Sequence, residues 1–119
     1  MAKRFEDLTC WQEAINLAAE IYNITKGFPA SEQFGLTNQL RRAAASISAN
    51  IAEGFGRNTN KDKNQFYTIA YGSLLEVKSF VYLAVRLEYL DRSRAAKLIS
   101  DMTLLQKRIN ALKKTITNA

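Results

Sequence analysis

The stretch from Ser31 to Arg57, SEQFGLTNQLRRAAASISANIAEGFGR, constrains the fold most, because it carries two helical patterns at once. Leu36, Leu40, Ala44, Ile47, Ile51 and Phe55 recur every three or four residues and make one apolar stripe of an α-helix. Gln39, Arg42, Ser46, Asn50 and Glu53 recur at the same spacing and make a polar stripe beside it. The small residues Ala43, Ala44, Ala45, Ser46, Ser48 and Ala49 let other helix backbones approach closely. This helix is therefore predicted to lie at the centre of a bundle and to touch several neighbours. Ser31 is its expected N-cap, Glu32 complements its dipole, and Gly54 and Gly56 bracket its end.

Three further helices are predicted around it. The first runs from Leu8 to Lys26 on the stripe Leu8, Trp11, Ile15, Ala18, Tyr22 and Thr25, with Ala14, Leu17, Ile21 and Ile24 on an adjoining stripe. Gly27 and Pro29 stop it, and Phe5 is placed to fold back onto its start. The third spans Lys61 to Glu88, with a heptad seam at Phe66, Ala70, Ser73, Val77, Phe80, Ala84 and Leu87, widened by Leu74 and Val81. The fourth follows a cap at Asp91 or Ser93 and runs to the terminus on Ala95, Leu98, Met102, Leu105, Ile109, Leu112 and Ile116. Short connections between four long amphipathic helices predict an all-α, up-down-up-down four-helix bundle, one domain over residues 1–119.

Composition narrows the function classes. Charges interrupt each helical pattern, so no run is expected to reach the ~18 apolar residues of a membrane span. The start, MAKRFEDLTCW, has no apolar signal core, and a cytoplasmic protein with no membrane contact is expected. The chain has no histidine, which removes the commonest general base and metal ligand. Glu53 and Glu76 could meet in the bundle, but a carboxylate-bridged metal centre needs four carboxylates and usually two histidines, so no metal, cofactor or catalytic residue is expected. The single cysteine, Cys10, has no histidine to partner it and is expected to be inert.

The formal net charge is +6, and it is unevenly spread. Residues 1–59 hold six basic and six acidic side chains, whereas residues 60–119 hold eleven basic and five acidic ones. A basic half reads either as a solubilising surface or as a site for an acidic partner, most often nucleic acid. The candidate contacts are Arg92, Arg94, Lys97, Lys107, Arg108, Lys113 and Lys114 on the fourth helix, supported by Lys61, Lys63 and Arg86. No zinc-finger spacing, recognition helix or aromatic RNA-binding signature occurs, so RNA or DNA would be held by its backbone with strong salt dependence. The rival is a protein-interaction module with an acidic protein partner. Arg42, Ser46, Asn50 and Glu53 are expected to form a structural polar network, with Glu53 paired to Arg41 or Arg42 or capping polar groups near Asn50. Of the two adjacent arginines only one can easily join such a network. Tyr67, Tyr71, Tyr82 and Tyr89 read as packing aromatics with hydroxyls at the rim, or as stacking surface for bases. The first helix carries two apolar stripes and the central one has apolar and small-polar stripes side by side. That excess predicts subunit contact, with Trp11 in the core or at such a contact, and assembly into a closed cyclic ring.

The runs FEDLTCWQEAINLAAEIY, FPASEQFGLTNQLRRAAASISANIAEGFGR and FYTIAYGSLLEVK resemble the four-helix bundle proteins of the 23S rRNA intervening-sequence family. The resemblance reaches from Phe5 to about Tyr89, and the fourth helix matches by pattern only. Three positions depart from the family's habit: Ser48 stands where proline is frequent, Glu88 where glycine is common, and Tyr71 where alanine is expected. The resemblance implies a homopentamer with a central channel. It further implies similarity to the accessory protein of diversity-generating retroelements, a basic pentamer that binds nucleic acid and a reverse transcriptase.

Overall fold

The computed structural model describes residues 1–117, which form four α-helices and two single 3₁₀ turns, with no β-strand among the described residues. The helices are α1 (Thr9–Thr25), α2 (Leu36–Phe55), α3 (Asn60–Arg86) and α4 (Arg92–Thr117). They pack in the pairs α1–α2, α2–α3, α3–α4 and α1–α4, so α1 lies across the core from α3, and α2 across from α4. All four contribute to one apolar core, in which Ala14, Ile21, Leu40, Ile47, Ile51, Leu74, Val77, Met102 and Ile109 are sealed from solvent. The molecule measures 45 × 25 × 19 Å.

Local chemistry sets the ends of each helix. Phe5 folds back on Trp11, edge to face at 5.1 Å, and closes the entry to α1. The start of α2 lies later than Ser31: residues Ala30–Glu32 form a 3₁₀ turn, and Glu32 reaches forward so that Oε1 accepts the Leu36 N–H at 3.0 Å. The other Glu32 oxygen accepts the Tyr89 hydroxyl at 2.9 Å, which ties this turn to the α3–α4 connection. Thr59 caps α3 by accepting the Asp62 N–H, and Asp91 caps α4 by accepting the Arg94 N–H at 2.8 Å. α2 runs unbroken through Ser48, so the absent proline leaves a continuous helix.

The end of α3 is a Schellman motif. The Tyr89 N–H donates to the Ala84 carbonyl and the Glu88 N–H to that of Val85, with Glu88 left-handed at φ 63°. The position at which the resembled family has glycine is thus the one whose backbone favours glycine.

Three expectations need correction. α2 is not central: it packs on α1 and α3, as each helix packs on two others. The buried seam of α3 is Tyr67, Ala70, Leu74, Val77, Val81 and Ala84, one residue away from the expected Phe66, Ser73, Phe80 and Leu87. The helix must seat between α2 and α4, and this rotation leaves Ser73 at the rim, where its hydroxyl meets Ser46 at 2.9 Å. Finally, an 18-residue window of α3 has mean hydropathy 1.2, so by length and composition that helix could cross a membrane. Between Lys63 and Arg86 only Glu76 and Lys78 are charged, which is too sparse to interrupt the run. The window is 28% buried here, so much apolar surface of α3 faces outward.

Candidate nucleic-acid interface

α4 buries Ala95, Leu98, Met102, Leu105 and Ile109 against the core and turns its polar residues out. Its seven predicted cations do not form one patch. Arg94 lies 3.8 Å from Glu20 and Arg108 lies 2.8 Å from Glu13, both carboxylates on α1, while Lys97 pairs with Asp101 at 3.3 Å. These contacts flank a groove of about 550 Å³ between α1 and α4, with Leu17, Leu98, Leu104 and Leu105 among its lining residues. Exposed ion pairs stabilise little, about 0–1 kcal/mol each. Their consequence is electrostatic: three of the seven positive charges are offset on the α1 side.

Arg92, Lys107 and Lys114 are exposed and pair with no carboxylate among the described residues. Lys113 is half-buried, on the side of α4 that faces Tyr71. On that side Lys78 donates to Thr103 Oγ1 and Gln106 Oε1 at 2.9 and 2.8 Å, and Gln106 Nε2 donates to the Tyr71 hydroxyl at 3.2 Å. The Gln106 and Asn110 bonds, with Lys113 and Lys78 nearby, hold the Tyr71 phenol below its ordinary pKa. Tyr71 is thereby used at the α3–α4 seam, where an alanine could not reach α4.

Of the supporting cations, Lys61 and Arg86 are exposed, whereas Lys63 donates to the Phe55 carbonyl at 2.6 Å and closes the end of α2. Arg57 stacks on Phe66, 4.4 Å from the ring centroid.

The predicted polar network is only partly assembled. Asn50 Nδ2 donates to the Ser46 carbonyl and hydroxyl at 2.8 and 2.9 Å, and Ser73 completes the cluster. Glu53 pairs with Arg57 at 3.6 Å and not with Arg41 or Arg42. Arg41 turns to α1, where Nε donates to Thr25 Oγ1 at 2.8 Å, Nη2 to the Tyr22 carbonyl at 3.3 Å, and the guanidinium lies 4.9 Å over the Tyr22 ring. Arg42 is exposed. The two arginines diverge as the 100° step of a helix requires.

Among the described residues, no three of the histidine, cysteine, aspartate and glutamate type come together as a metal site. Cys10 is buried, and desolvation pushes its thiol up to about 11, away from the reactive thiolate. Tyr67, the most enclosed aromatic, is likewise pushed up to about 12 by burial. It is therefore a core residue and not a platform for bases.

Glu13 and Glu20 were the partners missed from sequence. They lie on α1, and no spacing within α4 points to them.

The profile of the 23S rRNA-intervening sequence protein family matches residues 6–111. No curated protein matches the chain. Among solved structures, a protein of unknown function from the S23 ribosomal protein family of Bacteroides thetaiotaomicron superposes with a TM-score of 0.80. It is 23% identical, and the match covers 89% of this chain and 99% of that one, a likeness of fold.

Proposed function

Given that this chain belongs to the 23S rRNA-intervening sequence protein family, we propose a non-catalytic, cytoplasmic, self-associating protein that holds nucleic acid by its phosphate backbone. The observation that carries the reading is the outward side of α4, where Arg92, Lys107 and Lys114 stand without carboxylate partners among the described residues. Such side chains are long, mobile point or fork charges at the surface. They suit phosphate and sugar contact, not base reading.

The unit is a single up-down-up-down bundle. Arg94 meets Glu20 while Arg108 meets Glu13, and Ser46 meets Ser73 while Gly54 meets Tyr67, a register that supports opposed neighbouring helices. Copies of it join in a closed ring, a pentamer by the family resemblance. The outward apolar surface supports association: Ile15, Tyr22, Ile69, Leu75, Tyr82, Leu83 and Leu87 are all more than two-fifths exposed.

A triple Arg92→Ala, Lys107→Ala, Lys114→Ala variant tests the site. It should keep the wild-type mass and lower the slope of log affinity against log salt on duplex DNA by about 2.7. Unrelated RNA and DNA should each displace a labelled duplex. One observation favours the second reading, an acidic protein partner: Arg94, Lys97 and Arg108 already hold carboxylates. Failure of both competitors to displace a bound protein, with no direct nucleic-acid binding at low salt, would select it.

A further inference from the structure

Among the described residues, two charges of opposite sign stand without a partner of opposite charge, each beside exposed apolar side chains, on adjacent sides of the molecule. Arg41 is fixed at the α1–α2 seam by Thr25, the Tyr22 carbonyl and the Tyr22 ring, all neutral groups. No carboxylate lies within ion-pair distance of it among the described residues. Beside it Tyr22 is 44% exposed, and Ile15, seven residues earlier on the same face of α1, is 41% exposed.

Glu76 stands on α3, with Ile69 seven residues before it and Leu83 seven after, 50% and 43% exposed. Its helical neighbours at three and four residues are Gly72, Ser73, Ser79 and Phe80, none of them basic. Arg42 lines the same small groove between α2 and α3, yet it forms no ion pair with Glu76. Gly72 also lies on this face, and a Cβ there would meet nothing within 4 Å, so the interior of this chain does not require a glycine. A mid-helix glycine weakens a helix relative to alanine, and a helix packed from outside supplies a reason for it.

We propose that the α3 face of one copy docks on the α1–α2 face of the next, with Glu76 of one seated against Arg41 of the other. This rests on the self-association proposed above and names its surfaces. Each face offers what the other lacks: a fixed guanidinium in an apolar setting on one, a carboxylate in an apolar setting on the other. The contact is head-to-tail, since the two faces differ. They are adjacent, not opposite, sides of a four-helix square, so each copy turns relative to the last and the assembly curves towards closure.

The test is mass photometry of Arg41→Glu and Glu76→Arg, singly and combined in one chain, with helicity followed by circular dichroism. Glu76 is exposed, so its variant keeps the fold even if Arg41→Glu loosens α1. Each variant alone should associate more than about tenfold more weakly than wild type, because like charges then meet. The double variant should restore association, because every head-to-tail contact again joins opposite charges whatever the number of copies in the ring. Single variants that keep the wild-type mass, or a helical double variant that fails to recover it, overturn the pairing while leaving self-association standing. A wild type that is monomeric throughout removes the self-association reading itself, and the pairing with it.

Discussion

Replacing Gly54 by alanine places a methyl group where α2 crosses the start of α3. An ideal Cβ there lies 2.7 and 2.8 Å from Cε1 and Cδ1 of Tyr67 and 3.0 Å from Cβ of Phe66. Tyr67 is 1% exposed, so its ring has nowhere to swing, and Phe66 Cβ is fixed to the α3 backbone. Alanine gains about 1 kcal/mol over glycine in a helix interior, whereas forcing a methyl into a filled site costs about 1–3 kcal/mol and more where the neighbours cannot give. The steric term wins, and Gly54→Ala should destabilise by about 1–2 kcal/mol, lowering the thermal midpoint by about 4–8 °C. Gly72→Ala is the internal control, because its Cβ would meet nothing. At sub-micromolar concentration it should gain the helix term alone and raise the midpoint by about 4 °C. Circular dichroism melts of both variants decide the matter. Equal shifts of the same sign would refute the claim that close approach of Tyr67 dictates the glycine.

The other predictions concern the turn and the alkaline limit. Glu88→Gly should stabilise by about 0.5–1 kcal/mol, since a left-handed non-glycine residue costs about 1–2 kcal/mol and the extra chain entropy of glycine returns part of it. Urea denaturation would show the gain as a higher midpoint at unchanged slope. Cys10 and Tyr67 are held protonated by burial, at about 11 and 12 against ordinary values of 9.0 and 10.0. Their stabilising effect is complete below pH 9 and is lost as pH rises through the folded values, so the fold should weaken between pH 9 and 12. Tyr67→Phe, which keeps the ring, should move the alkaline unfolding midpoint upward; an unchanged midpoint would contradict burial of the phenol.

What could be read from the chain depended on how local its cause was. The ends of α1 at Leu8 and Lys26, the break at Gly27 and Pro29, and the Asp91 cap follow from neighbouring residues, and they stand in the structure. The face of α3 was harder. Two apolar rows one residue apart, 66-73-80 and 67-74-81, share Ala70, Val77 and Ala84. Only the position of two neighbouring helices, together with the space left by Gly54, selects the row led by Tyr67. The start of α2 was displaced because a glutamate four residues upstream supplies the cap that Ser31 was expected to give. The basic side chains of α4 were legible as charges but not as a surface. Arg94 and Arg108 are separated from Glu20 and Glu13 by most of the chain, and periodicity within one helix carries no information about which residues oppose it on another.

Fluorescence anisotropy of the wild-type protein on a generic duplex and a generic RNA, across a series of salt concentrations, tests the central claim most directly. Binding through phosphate contacts predicts affinity for both, with log affinity falling linearly as log salt rises and a slope of about −0.9 per contact on the duplex. No binding to either at low salt, or affinity that does not change with salt, would contradict it.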